Sequence, residues 1–148
     1  MMLNNELQIL LVEDNMSDAM LTIRVLKKHN LANNIVHLYD GAQALDFLFG
    51  KGEYEGRNLA EKPKVIFLDL KMPKVGGLEV LRQLKADDRT KGIPVVMMTS
   101  SKEEKDIVES HRLGVNSYIV KPVEFENFSK TVADLGLYWL LVNQTPRE

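Results

Sequence analysis

Five short apolar runs recur along the sequence, each separated from the next by enough residues for a helix. They are Ile9-Leu10-Leu11-Val12, Ile35-Val36, Val65-Ile66-Phe67-Leu68, Val95-Val96-Met97-Met98 and Tyr118-Ile119-Val120. Each is rich in Ile, Val, Leu or Met and continuous rather than alternating, which is the pattern of strands covered on both faces. The intervening segments carry helical spacing. Ala19, Ile23 and Leu26 fall at i, i+4 and i+7, and Ala42, Leu45 and Phe49 at i, i+3 and i+7, so each set is expected to mark the buried face of a helix. Asn15 or Ser17 can cap the first helix, and Asp40-Gly-Ala-Gln43 resembles a capping box for the second. A third helix is predicted from Gly77 to Lys85 with Leu78 and Leu81 on one face. Ser101-Lys-Glu-Glu104 is a capping box for a fourth, and a fifth begins near Glu124. Five strand–helix units joined by right-handed crossovers give one parallel sheet with helices on both faces, a doubly wound α/β domain with (βα)5 order.

The 148 residues suit one domain, with a core over about 7–143 and an insertion loop at about 50–63 that begins Gly50-Lys-Gly-Glu-Tyr-Glu-Gly56. Lys and Arg number 19 against 21 Asp and Glu, so there is no basic footprint for nucleic acid or anionic lipid. With no cysteine, disulfides, thiolate metal sites and cysteine nucleophiles are excluded. The first residues lack a basic segment followed by a long apolar one, and the longest nearly apolar run, Leu135 to Val142, is far shorter than the roughly 20 residues a membrane helix requires. The expectation is a cytoplasmic protein that binds neither nucleic acid nor membrane.

In an open parallel sheet the ligand site lies beyond the carboxyl ends of the strands. The residues there are Glu13 and Asp14 after the first strand, Asp69 after the third, Thr99 after the fourth and Lys121 after the fifth. Like charges about 4 Å apart at an effective dielectric near 20 repel by roughly 4 kcal/mol per pair, so three carboxylates on one rim require cations. Lys121 supplies one. An oxygen-only cluster suits a hard divalent ion such as Mg²⁺, with Mn²⁺ as the alternative. Carboxylate, hydroxyl, ammonium and divalent ion together complement the oxygens of a phosphoryl group.

Taken singly, each residue has a plainer account: Glu13 and Asp14 as helix-start acids, Asp69 as a turn residue, Thr99 as a cap, Lys121 as a solvated lysine. Taken together, Val12-Glu13-Asp14-Asn15, Leu68-Asp69-Leu70-Lys71-Met72-Pro73, Met98-Thr99-Ser100 and Tyr118-Ile119-Val120-Lys121-Pro122 resemble the response-regulator receiver family, over nearly the whole chain and in the right order. The resemblance implies the flavodoxin-like fold class and a signalling role, with no enzymatic activity beyond self-catalysed phosphotransfer and loss of the phosphate. It implies that Asp69 accepts a phosphoryl group from a sensor histidine kinase. Asp14, Asp69 and the backbone carbonyl of Lys71 would hold Mg²⁺, with Glu13 contributing directly or through water. Thr99 and Lys121 would bind the phosphoryl group, and small Ser100 would leave an approach to Asp69. Tyr118 would swing inward when Thr99 moves, and Lys121-Pro122 would be a cis bond.

The last segment carries a second message. Phe128, Val132, Leu135, Trp139 and Val142 follow 3-4 spacing and form one packing face. Leu137, Tyr138, Leu140 and Leu141 make the end apolar on the remaining sides, which points to a two-fold dimer built on Tyr138, Trp139, Leu140 and Leu141. Only six residues follow Val142, so the expected output is contact with a downstream protein target rather than DNA. The insertion before the third strand and the Leu137-Tyr-Trp-Leu-Leu141 ending are similar to stand-alone receivers that accompany phytochrome-type histidine kinases, which implies such a kinase as partner. Two rival readings fit less well. A flavodoxin needs phosphate-binding donors where Glu13-Asp14-Asn15 stands, and a haloacid-dehalogenase-type phosphatase needs an acid where Lys71 stands.

Overall fold

The computed structural model describes residues 9–28, 34–72, 74–100 and 104–135. The elements alternate as β1 (Ile9–Val12), α1 (Met16–Lys28), β2 (Ile35–Leu38), α2 (Gly41–Phe49), β3 (Val65–Asp69), α3 (Gly77–Ala86), β4 (Val95–Thr99), α4 (Glu104–Arg112), β5 (Ser117–Val120) and α5 (Phe125–Asp134). The five strands form one parallel sheet in the order β2-β1-β3-β4-β5. This is the doubly wound α/β domain expected from the alternation of apolar runs and helical spacing, and its strand order is that of the flavodoxin-like class the receiver resemblance implies.

Period-2 alternation divides the strands between two cores. Leu10, Val12, Ile66, Leu68, Val95 and Met97 pack on α2 and α3 through Ala44, Phe47, Leu48, Val80, Leu81 and Leu84. Ile9, Leu11, Val65, Phe67, Val96, Met98 and Ile119 face the other way onto Ala19 and Leu26 of α1 and Phe128 and Val132 of α5. Phe67 and Phe128 stack with centroids 5.3 Å apart. Side chains of this size each stabilise the fold by roughly 1.5–3 kcal/mol when buried. The continuous apolar runs are therefore two interleaved faces.

Some local expectations are corrected, while the Asp40–Gln43 capping box and a fifth helix beginning near Glu124 are borne out. The core face of α2 is Ala44, Phe47 and Leu48, while Ala42, Leu45 and Phe49 are half-buried along its side. In α3 the buried residues are Val80, Leu81 and Leu84, and Leu78 is only half-covered. β2 extends two residues past Val36 because His37 and Leu38 continue the ladder with β1. Asn15, not Ser17, caps α1, its Oδ1 accepting the Asp18 N–H at 2.9 Å. Asp40 caps α2 through the Gln43 N–H at 2.8 Å, and Gln43 Oε1 returns to the Tyr39 N–H at 2.7 Å. Glu124 and Asn127 make a reciprocal capping box on α5. The insertion loop folds into a 3-10 turn at Gly52–Tyr54, and the Arg57 guanidinium sits 3.9 Å from the centroid of the Phe47 ring. Pro73, the Ser101 cap and the apolar ending with Tyr138, Trp139, Leu140 and Leu141 lie outside the described residues. No helix among the described residues is long and apolar enough to cross a membrane.

Candidate functional site

Register brings the strand ends level. Val12 pairs with Leu68, Asp69 with Met98, and Thr99 with Val120, so Glu13, Asp69, Thr99 and Lys121 emerge side by side at one edge of the sheet. Carboxylate oxygens of Glu13, Asp14 and Asp69 lie within 4.8 Å of one another. Glu13 and Asp69 are buried, whereas Asp14 is exposed. The set offers only hard oxygen donors, with one ligand open to solvent, which fits a divalent ion that retains some of its water.

Lys121 closes the pocket from β5. Its Nζ lies 2.6 Å from Glu13 Oε1, 3.1 Å from Asp18 Oδ2 and 3.4 Å from Asp69 Oδ2. The Lys121-Pro122 peptide is cis. Lys121 also donates its backbone N–H to the Thr99 carbonyl at 2.8 Å, which ties the ammonium-bearing residue to the end of β4. Thr99 is buried and Ser100 is exposed at the rim. Tyr118 is 38% exposed, with its ring edge-on to His111 of α4 at 6.0 Å. Lys71 is exposed on the loop after β3.

Two electrostatic consequences follow. Burial, then the hydrogen bond and negative charge of Glu13, push the Asp69 carboxyl up to about 7, while Lys121 pulls it down. Burial draws the Lys121 ammonium down, but Glu13, Asp69 and Asp18 more than offset this and raise it above its ordinary value. The pocket thus holds excess negative charge, which a bound cation would relieve.

Three residues that sequence reasoning passed over help to build this pocket. Asp18, in the first turn of α1, is the third carboxylate on Lys121. Its spacing of four from Asp14 was a signal in principle, but an acid in a first helical turn has a sufficient local explanation. His37 holds the backbone of Glu13, with Nε2 2.9 Å from its carbonyl oxygen, and nothing local to His37 announces that contact. Gly77 lets α3 begin against the backbone of Asp69, where a Cβ would stand 2.3 Å from the Asp69 carbonyl oxygen.

A family model described as the response regulator receiver domain matches residues 9–133. The chain is 43% identical over 138 residues to the probable methanogenesis regulatory protein FilR2 of Methanothrix harundinacea, covering 93% of this chain and 86% of that one. It is 39% identical over 132 residues to response regulator Rcp1 of Synechocystis, covering 89% and 88%. Among solved structures, the bacteriophytochrome response regulator AtBRR is 53% identical with a TM-score of 0.82, over 94% of this chain and 99% of that one. The Mn²⁺-bound form of Rcp1 is 38% identical with a TM-score of 0.74, over 94% and 98%. The phosphorylated cyanobacterial phytochrome response regulator RcpA is 35% identical with a TM-score of 0.76, over 97% and 99%. Fold, pocket and relatives agree, and the chain belongs to the response-regulator receiver family, the non-enzymatic signalling proteins of two-component systems.

Proposed function

We propose that Asp69 is the phosphoacceptor. The observation that carries this is the convergence of Asp69 with two further carboxylates and the Lys121 ammonium at one sheet edge. An Asp69 carboxylate oxygen forms a bond to phosphorus while the phosphorus–nitrogen bond of a phosphohistidine breaks; that histidine carries a proton on its other ring nitrogen and so leaves as neutral imidazole. Asp14, Asp69 and the Lys71 carbonyl would hold Mg²⁺, or Mn²⁺ in its place. Glu13 has Oε1 on Lys121 and Oε2 on the Asn15 N–H at 3.0 Å, and would contribute to the metal directly or through water. When bound, the ion supplies charge neutralisation for the phosphoryl oxygens and keeps Asp69 ionised. Lys121 contributes a second positive charge, the Thr99 hydroxyl donates to a phosphoryl oxygen, and the Ser100 side chain, small and exposed, leaves the approach open. Pro122 aims Lys121 inward, and Tyr118 reports the change to α4.

Incubation with acetyl phosphate and Mg²⁺ is expected to add one phosphoryl mass, located to Asp69, and Asp69→Asn is expected to abolish it. Labelling that persists on another residue of that variant overturns the assignment. The relatives named for phytochromes support a phytochrome-type histidine kinase as the donor. Residues 1–148 act in this reading as one receiver with a downstream protein as target. The apolar ending supports a homodimer through Tyr138, Trp139, Leu140 and Leu141, for which light scattering should give twice the chain mass, reduced towards monomer by Trp139→Ala. A monomeric wild type at about 50 μM, well above the micromolar Kd range, contradicts it.

A further inference from the structure

Lys121 is shared among three carboxylates, and only two of them belong to the constellation that would handle a phosphoryl group. An ammonium has three N–H donors. Here they face Glu13 at 2.6 Å, Asp18 at 3.1 Å and Asp69 at 3.4 Å, so the contact to Asp69 is the longest of the three. A phosphoryl oxygen on Asp69 is a further acceptor for an ammonium whose three donors already face carboxylates, so one existing partner must loosen. Glu13 is buried and anchored on its other oxygen by the Asn15 N–H. The Asp18 carboxylate is 39% exposed, so water can take over from the ammonium when that contact opens.

Asp18 is held firmly enough to act as a restraint. Its N–H donates to Asn15 Oδ1 at 2.9 Å, and its carbonyl accepts the Thr22 hydroxyl at 3.0 Å. The carboxylate therefore projects from a pinned first turn towards the seam formed with Lys121, Pro122 and Val123. An acid in this turn gains from the helix dipole wherever it points. The dipole does not account for a contact with a lysine 103 residues away.

We propose that Asp18 is a positioning residue that restrains Lys121 in the unphosphorylated protein, drawing its ammonium towards α1 and away from the oxygen of Asp69 that receives the phosphoryl group. The inference rests on Asp69 being the phosphoacceptor. Removing the Asp18 charge frees Lys121 and also takes one negative charge from a pocket that must admit an anionic donor, and both effects favour the phosphorylated form.

The test is calorimetric titration with beryllofluoride, a mimic of the phosphoryl group, at saturating Mg²⁺, alongside labelling rates with acetyl phosphate. Asp18→Asn should bind the mimic roughly three- to tenfold more tightly and label faster by a similar factor. Asp18→Glu, which keeps the charge, should stay within about twofold of wild type. Lys121 is only 11% exposed, and a direct contact to it is weakly screened, so the gain should persist at about 0.5 M salt. Unchanged or weaker binding by Asp18→Asn overturns the restraint, and so does a gain that vanishes in salt, which marks a long-range charge effect. Should the amide variant melt below wild type, Asp18→Ser supplies the same charge removal with a different side chain. A wild type that neither binds the mimic nor labels on Asp69 brings down the phosphoacceptor reading, and this inference falls with it. Normal wild-type binding with an indifferent Asp18→Asn brings down the inference alone.

Discussion

A buried carboxyl with a high pKa makes the protein's stability depend on pH in a direction opposite to that of a salt-bridged surface acid. Asp69 is pushed from its ordinary value of 3.8 to about 7, first by burial and then by Glu13. In the unfolded chain it ionises near 3.8 and in the folded chain near 7, so the folded state binds the extra proton between those limits. Its contribution is fully present below the unfolded value and is lost as pH rises through about 7. Metal-free protein should accordingly lose stability between about pH 4 and pH 7, by on the order of 2–4 kcal/mol from this group. Asp69→Asn removes the penalty: urea unfolding at pH 8 should show the variant more stable than wild type, with the difference shrinking towards pH 4. A variant less stable than wild type at pH 8 contradicts the electrostatic account. Saturating Mg²⁺ should stabilise wild type and leave Asp69→Asn less affected. At this scale the sequence carried Glu13, Asp14, Asp69, Thr99 and Lys121, because each directly follows or ends an apolar run. It did not carry Asp18, whose partner is far off in the chain.

The elements place these residues by packing as tight as the contacts within the site. Gly77 is the first residue of α3, and an added Cβ would meet the Asp69 carbonyl oxygen at 2.3 Å and Leu70 Cα at 2.9 Å. Alanine for glycine within a helix normally gains roughly 0.5–1 kcal/mol, but here the clash is with backbone that cannot rotate away. Gly77→Ala should cost about 1–3 kcal/mol in chemical unfolding and weaken divalent-ion binding, since the displaced strand end carries Asp69. The neighbouring Gly76, the N-cap of α3, has nothing closer than 3.8 Å to such a Cβ, so Gly76→Ala should cost less than about 1 kcal/mol, the loss of a favoured cap residue without a clash. Equal losses at the two positions contradict the close-approach explanation. Existence and order of the elements were legible because apolar runs and caps are local signals. The buried face of α2 was not: Ala42, Leu45 and Phe49 satisfy the same periodicity as the true core residues Ala44, Phe47 and Leu48. With only Gln43 and Asp46 as polar side chains, α2 leaves its rotation to the neighbouring α3 and the loop packed on it, which no local pattern encodes.

At the scale of the molecule, the part of the fold around α2 and α3 should stay fixed while the β5 edge can respond. On the β3 side, α2 and α3 bury Phe47, Leu48, Val80, Leu81 and Leu84, and Arg57 clamps the insertion over Phe47. At one edge of the sheet lies β5, and its Tyr118 is part-exposed with its ring against His111. Of the α4 side chains described, Ser110 is buried, while Ile107 and Glu109 are only partly covered. The route between the pocket and this edge is short: Asp69 contacts Lys121, whose backbone N–H is bonded to the Thr99 carbonyl, and Tyr118 lies three residues before Lys121 on β5, the strand that Lys121 directly follows. Moving such a two-state element from 1:99 to 99:1 requires about 5.5 kcal/mol of differential stabilisation, which charge-assisted bonds from Lys121 and Thr99 to a phosphoryl group can supply together. Hydrogen exchange should therefore respond unevenly to beryllofluoride with Mg²⁺. Amides of α4 and β5 should change by about tenfold or more, whereas those of α2 and the Gly52–Tyr54 turn should stay within about twofold. Tyr118→Ala should bind the mimic with wild-type affinity within about threefold yet lose the response in α4. A response centred on α2 instead, or one in α4 that survives loss of the Tyr118 ring, would place the moving surface elsewhere in the fold.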